Sequence, residues 1–202
     1  MRVYILLDRS GSMGSQWTDT LGAINAYVTE LSGDTNVYIA AFDSGYNNDV
    51  SYDVLRNTTA KGFKKLTSDD AMPRGGTPLY DSAARLLDHA FDEGSERAYI
   101  IFMTDGYENT SRKFNQTAIK EKIKRAEDRK WEVVFLGANF DKVTDQAVAM
   151  GVDFNKSYNI STSNLGAEMK FMATNTVAYA NHGTATAFTV GDRARATSAK
   201  KK

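Results

Sequence analysis

Val3-Tyr4-Ile5-Leu6-Leu7 runs straight into Asp8-Arg9-Ser10-Gly11-Ser12. The first five residues are apolar without alternation, as in a strand buried on both faces of a parallel sheet. The next five put one carboxylate and two hydroxyls on alternate positions of a loop. Hard oxygen ligands so placed suit a hard divalent cation, Mg²⁺ above all. Two further oxygen side chains stand far along the chain. Thr77 lies in R-G-G-T-P-L-Y-D, and Asp105 in I-I-F-M-T-D-G, at the end of another apolar run.

Runs like the first recur at 37–42, 99–103 and 133–136, each continuous and rich in Val, Ile, Phe and Tyr. Segments with helical spacing lie between and after them. Leu21, Ile24, Tyr27, Val28 and Leu31 mark one, with Gly33 as its expected stop. Leu79, Ala83, Leu86, Leu87, Ala90 and Phe91 mark a second, followed by Gly94. Ile119, Ile123 and Ala126 mark a third. Phe140, Val143, Ala147 and Met150 mark a fourth, closed by Gly151. Leu165, Met169, Met172 and Ala173 mark a fifth, with Ser163 as the expected N-cap.

This alternation predicts an α/β fold, an open, mostly parallel, doubly wound sheet with helices on both faces. Residues 50–56 alternate in part and follow a Gly- and Asn-rich turn at 44–48. They predict one antiparallel edge strand in a hairpin with run 37–42. Residues 154–160 read as a weaker strand, a candidate for the opposite edge. Residues 1–182 are expected to form one domain. Residues 183–202 lack an apolar period and end Lys200-Lys201-Lys202, so a flexible basic tail is expected there.

Composition narrows the function. Hydrophobic residues make up 42% of the chain and charged residues 25%, enough apolar material for a full core. Lys plus Arg and Asp plus Glu each number 25, so no net field draws the domain to nucleic acid. There is no Cys, which excludes disulfides and thiolate metal sites. No apolar run approaches membrane-span length, and the run ending at Asp8 is too short for a signal peptide. An intracellular, cytoplasmic protein is expected.

In open α/β sheets, ligands bind at the carboxyl ends of the strands, where the strand order reverses. Asp8 and Asp105 each close an apolar run, so they lie side by side if their strands are neighbours. Thr77 opens the second helix on the same rim. Gly75 and Gly76 allow a tight turn before it, and Pro78 suits a first helical position.

The pattern resembles the von Willebrand factor A (vWA) domain and its metal-ion-dependent adhesion site. That motif is Asp-x-Ser-x-Ser, then a distant Thr, then a distant Asp. Asp8, Ser10 and Ser12 match the first part, Thr77 the second and Asp105 the third. The surroundings D-R-S-G-S-M-G, G-G-T-P-L-Y-D and T-D-G-Y-E-N resemble the family too, over roughly residues 1 to 180. The resemblance implies a Rossmann-like vWA fold and direct coordination of the metal by Ser10 and Ser12. It implies that Thr77 binds directly or through water, and that Asp8 and Asp105 mainly hold coordinating waters. Mg²⁺ is the implied ion, with Mn²⁺ as a substitute. The likeness is to short stand-alone bacterial and bacteriophage members, since secreted adhesion domains usually carry flanking Cys.

Simpler readings compete. Ser10 and Ser12 alone would read as turn residues and an N-cap, but Thr77 and Asp105 complete a pattern that a turn does not need. A strand-terminal Asp with Mg²⁺ also describes phosphatases that run through an aspartyl-phosphate. Those carry D-x-D, and Ser10 stands where the second carboxylate would act as general acid. No nucleophile–base pair is visible, so the chain is not expected to be an enzyme. No G-x-x-x-x-G-K-[ST] loop exists for a nucleotide.

Other residues read more plainly. His89 is expected at a surface or boundary. Asp43 is expected to start a turn, with a role behind the metal ligands as the alternative. Glu108 and Asn109 are expected to order the loop after Asp105. Trp17 is expected to pack at the first helix, with partner contact as the alternative. Met169 and Met172 read as core. The charges over 120–130 read as a solvated helix face. The expected function is a Mg²⁺-dependent protein-binding module that captures an Asp or Glu of a partner protein. Two alternatives stand beside it: an adaptor or subunit serving an AAA+ ATPase, and a structural component of a phage particle, which would make the protein virion-associated.

Overall fold

The computed structural model describes residues 1–45 and 49–198. Part of the expected 44–48 turn, and the three terminal lysines, lie outside the described residues. Six strands form one sheet: β1 (Arg2–Asp8), β2 (Asn36–Asp43), β3 (Ser51–Thr59), β4 (Ala98–Thr104), β5 (Glu132–Ala138) and β6 (Ser157–Ile160). Their order is β3-β2-β1-β4-β5-β6. β3 runs antiparallel to β2, with a bulge at Ile39/Ala40, and the other pairings are parallel. The α/β fold with one antiparallel edge strand is therefore as expected.

Alternation of side chains explains why the runs are continuous. Val3, Ile5 and Leu7 of β1 point to one face, Tyr4 and Leu6 to the other. The first face is covered by α1 (Trp17–Thr29) and α5 (Leu165–His182), through residues such as Ile24, Met169 and Met172. The second is covered by α2 (Leu79–Glu93), α3 (Gln116–Asp128) and α4 (Val143–Met150), through residues such as Leu86, Ile119 and Ala147. With both faces buried, no strand position in the middle of the sheet is free to be polar. β1 lies between β2 and β4, whose connections leave in opposite senses. The switch point is thus the β1/β4 junction, where Asp8 and Asp105 emerge.

Several helix ends differ from expectation. α1 stops at Thr29 with Glu30 as its C-cap, before Gly33, because the 310-like turn there returns N–H groups to Tyr27 and Val28. α5 is preceded by Asn164 and by a 310 turn, Thr162–Asn164, that takes in Ser163. α2 and α4 do end on Gly94 and Gly151. Trp17 is buried and its indole N–H donates to the Ala71 carbonyl at 2.8 Å, which is the packing role. His89 sits at the boundary, its ring 4.3 Å from that of Tyr38.

The segment expected to be a flexible tail is packed on the domain over 184–198. Phe188 is 3% exposed and its ring lies 4.1 Å from that of Tyr158. The Thr186 hydroxyl bonds Tyr99 at 2.7 Å, and its N–H donates to buried Glu132. α6 (Val190–Thr197) opens with a Thr189/Asp192 capping box and buries Ala196 against the loop after β6. Arg193 and Arg195, two of the basic residues of the expected tail, donate to the Ser157 carbonyl and to Glu168. Two small anchors and a set of polar contacts hold this segment, and they carry no apolar period for a sequence to display.

Candidate metal centre

Each part of the centre stands where a strand or helix ends. Asp8 is the last residue of β1 and is fully buried. Its carboxylate accepts the Ser10 N–H at 2.7 Å and the Thr104 hydroxyl from the end of β4. The chain then turns through a 310 segment, Gly11–Gln16, into α1. The Ser10 and Ser12 hydroxyl oxygens are 3.1 Å apart, and Ser12 donates to Asp105 at 2.7 Å. Asp105, the first residue after β4, also accepts the Gln16 side-chain N–H at 3.2 Å. Asp8, Ser10, Ser12 and Asp105 thus form one hydrogen-bonded run across the β1/β4 junction.

Thr77 stands on the neighbouring loop. Its N–H donates to the Asn109 side chain at 2.8 Å, and its carbonyl accepts the Asn109 N–H at 3.1 Å. Asn109 follows Asp105 by four residues, so this clasp ties the Thr77 loop to the Asp105 loop. Among the described residues no hydrogen bond joins the Thr77 hydroxyl to the other four side chains. Gly75 brings the loop to the first segment, where its carbonyl accepts the Gly11 N–H at 3.0 Å. Gly75 has φ +64, and a Cβ there would meet Ser44 Oγ at 2.7 Å, so only glycine fits.

The loop after β4 is braced as the sequence suggested. Glu108 accepts N–H groups of Tyr80 and Ser111 at 2.8 and 2.6 Å. Asp81, in the first turn of α2, accepts from the N–H groups of Arg112, Lys113 and Phe114. On the other side Asp43 does start the turn, accepting the Gly45 N–H. It also lies within an ion cluster that sequence reading missed. Buried Arg9 donates to Asp43, to Asp53 and, at 2.9 Å, to the Ser51 hydroxyl. Arg74 reaches both Asp43 oxygens at 3.3 Å. This cluster clamps the residue between Asp8 and Ser10 to the β2–β3 hairpin. Thr104, Gln16 and Arg9 were missed because nothing in their spacing separates them from ordinary core and loop residues.

A divalent cation suits this donor set. Among the described residues neither Asp8 nor Asp105 has a basic partner, and no group of three or more His, Cys, Asp or Glu is placed to hold a metal ion. The centre instead offers two carboxylates and hydroxyl oxygens, the donors of a hard ion. Burial pushes the Asp8 carboxyl up to about 6; bonds from Thr104 and Ser10 oppose this, and the Asp105 charge adds to it. Burial also raises Asp105, against bonds from Ser12 and Gln16. Two such carboxylates side by side are short of positive charge. A cleft lined by Arg2, Asn36, Glu93 and Arg97 lies at the opposite end of the strands, where Glu93 is already bonded to Arg2 and Tyr4.

The profile of the von Willebrand factor type A domain matches residues 3–170. The chain belongs to this family. Solved structures agree on the fold of this vWA domain. A von Willebrand factor type A protein from Catenulispora acidiphila is similar at 16% identity and TM-score 0.57, over 85% of this chain and 41% of that one. The pilus adhesin SpaC from Lactobacillus rhamnosus GG gives 15% and 0.66, over 88% and 30%. The vWF domain of the type V pili tip protein Mfa5 from Porphyromonas gingivalis gives 12% and 0.64, over 87% and 94%. The vWA chain thus spans less than half of the first two proteins and nearly all of the third. No curated protein sequence matches it.

Proposed function

We propose that this vWA domain is a metal-dependent protein-binding module. Ser10, Ser12 and Thr77 would hold Mg²⁺ or Mn²⁺, with Asp8 and Asp105 steadying the waters around it. The observation that carries this reading is the hydrogen-bonded run Asp8–Ser10–Ser12–Asp105 at the switch point, with no basic partner on either carboxylate among the described residues. A bound cation would retain positive charge and an exchangeable water, and so accept a carboxylate from a partner. The residues themselves do the rest. Thr104 and the Ser10 N–H fix the Asp8 carboxylate. The Asn109 clasp fixes the height of Thr77. Neutral hydroxyl ligands leave the ion's charge largely uncancelled. Ser10, where an aspartyl-phosphate enzyme has its general acid, favours binding over catalysis. Two of the similar structures are a pilus adhesin and a pili tip protein, which accords with a gripping role.

The test is thermal. Free Mg²⁺ at about ten times its dissociation constant stabilises a folded binder by roughly 1.4 kcal/mol. For a chain of this size that is a rise in Tm of about 3–6 °C. Ser10→Ala is expected to remove most of the rise while leaving the metal-free Tm nearly unchanged. An equal rise in the variant would refute the assignment of Ser10.

A further inference from the structure

Gln16 is buried at 5% exposure, yet it bears a full set of polar contacts. Its side-chain nitrogen donates to Asp105 Oδ2 at 3.2 Å and to the Ala138 carbonyl at 3.1 Å. Its oxygen accepts from the Thr162 hydroxyl at 3.3 Å and the Asn139 side-chain N–H at 3.5 Å. The amide orientation follows from chemistry. Turned over, it would set an oxygen against a carboxylate and a carbonyl, both acceptors only. One buried amide therefore joins the end of β4, the end of β5 and the loop after β6.

The far side of Gln16 is itself fixed. Asn139 has φ 54, a left-handed backbone that its N–H bond to the Ile160 carbonyl at 2.9 Å helps to hold. Its side chain bonds both the hydroxyl and the N–H of Thr162. The adjoining Ser161 N–H donates to the Ala196 carbonyl at 3.0 Å, and Asn164 donates to the Arg195, Ala196 and Ser198 carbonyls. An unbroken series of bonds thus leads from the end of α6 through Thr162 and Gln16 to Asp105.

We propose that Gln16 is a positioning residue of the metal centre: anchored by Thr162 and Asn139, it sets the Asp105 carboxylate at the place the ion requires. This rests on the metal-binding reading above. Ser12 also bonds Asp105 but would turn to the ion, which leaves Gln16 as the side chain that still orients Asp105 when metal is present. Outer partners of metal-site carboxylates have a large influence on affinity. Mg²⁺ demands near-ideal octahedral geometry and Ca²⁺ does not, so a loosened Asp105 penalises Mg²⁺ more.

The experiment is calorimetric titration of the full chain with Mg²⁺ and with Ca²⁺, for the wild type, Gln16→Met and Thr162→Val. Gln16→Met keeps the volume and removes the bonds. Its Kd for Mg²⁺ is expected to rise roughly tenfold to a hundredfold, with a smaller rise for Ca²⁺. Thr162→Val is expected to shift Mg²⁺ in the same direction by about threefold. A purely structural role would lower the metal-free Tm and leave the ratio of the two affinities alone. Wild-type-like Kd values and ratio in Gln16→Met overturn the inference while the metal site stands. Failure of the wild type to bind either ion removes both. Should Gln16→Met not fold, Thr162→Val decides, and an unchanged Mg²⁺ Kd there is the contrary result.

Discussion

Arg9→Met is expected to lower the folding stability by about 3 kcal/mol, near the lower end of what breaking a buried ion pair costs. Arg9 and Asp43 have side chains 5% and 0% exposed, so the variant leaves a carboxylate in the interior without its main counter-charge. Arg74, 3.3 Å away and part-exposed, softens the loss. The stem of Met fills much of the space of the Arg side chain, so the effect is electrostatic rather than a cavity. Adding Asp43→Asn should recover part of the loss, because the stranded charge is then gone. Urea unfolding of the single and double variants gives both figures. A loss below about 1 kcal/mol for Arg9→Met, the range of ordinary surface changes, would show that the cluster is exposed to water in solution.

Partner capture should depend wholly on metal and on Thr77. An interaction made through an ion loses both the charge and the ligand position when the ion goes. Truncating one member of such a buried charged contact typically costs 2–5 kcal/mol, a factor of about thirty or more. A protein retained by the immobilised domain from an extract of its host in Mg²⁺ should be released by EDTA. Thr77→Ala should fail to retain it. Replacement of one Asp or Glu in the partner should abolish binding as completely as EDTA does. Retention that is equal with and without metal would make the centre merely structural.

The frame was legible in the sequence, and with it the neighbouring positions of Asp8 and Asp105, because a parallel sheet leaves a pattern with one cause. A strand buried on two faces must be apolar throughout, so β1, β2, β4 and β5 were legible as unbroken runs. Asp8 and Asp105 could then be set side by side from the switch-point rule alone. The clamps behind them were not legible. Thr104 next to Asp105 looks like any strand-end threonine, and Gln16 like any helix-start residue. Arg9 meets Asp43 and Asp53 only because a hairpin folds back on the first loop. The docking of segment 184–198 was hidden for the same reason. Its docking depends on Phe188, Ala196 and scattered polar contacts, which have no periodicity to read. Such contacts depend on tertiary partners, and no local signal encodes them.

Titration of the full chain with Mn²⁺, read by electron paramagnetic resonance as free ion disappears, addresses the oxygen cluster itself. Wild type should take up one Mn²⁺ per chain, and Mg²⁺ should displace it. Ser10→Ala should lose this uptake while remaining folded. No saturable uptake by the wild type, or equal uptake by Ser10→Ala, would contradict a metal centre built on Asp8, Ser10, Ser12, Thr77 and Asp105.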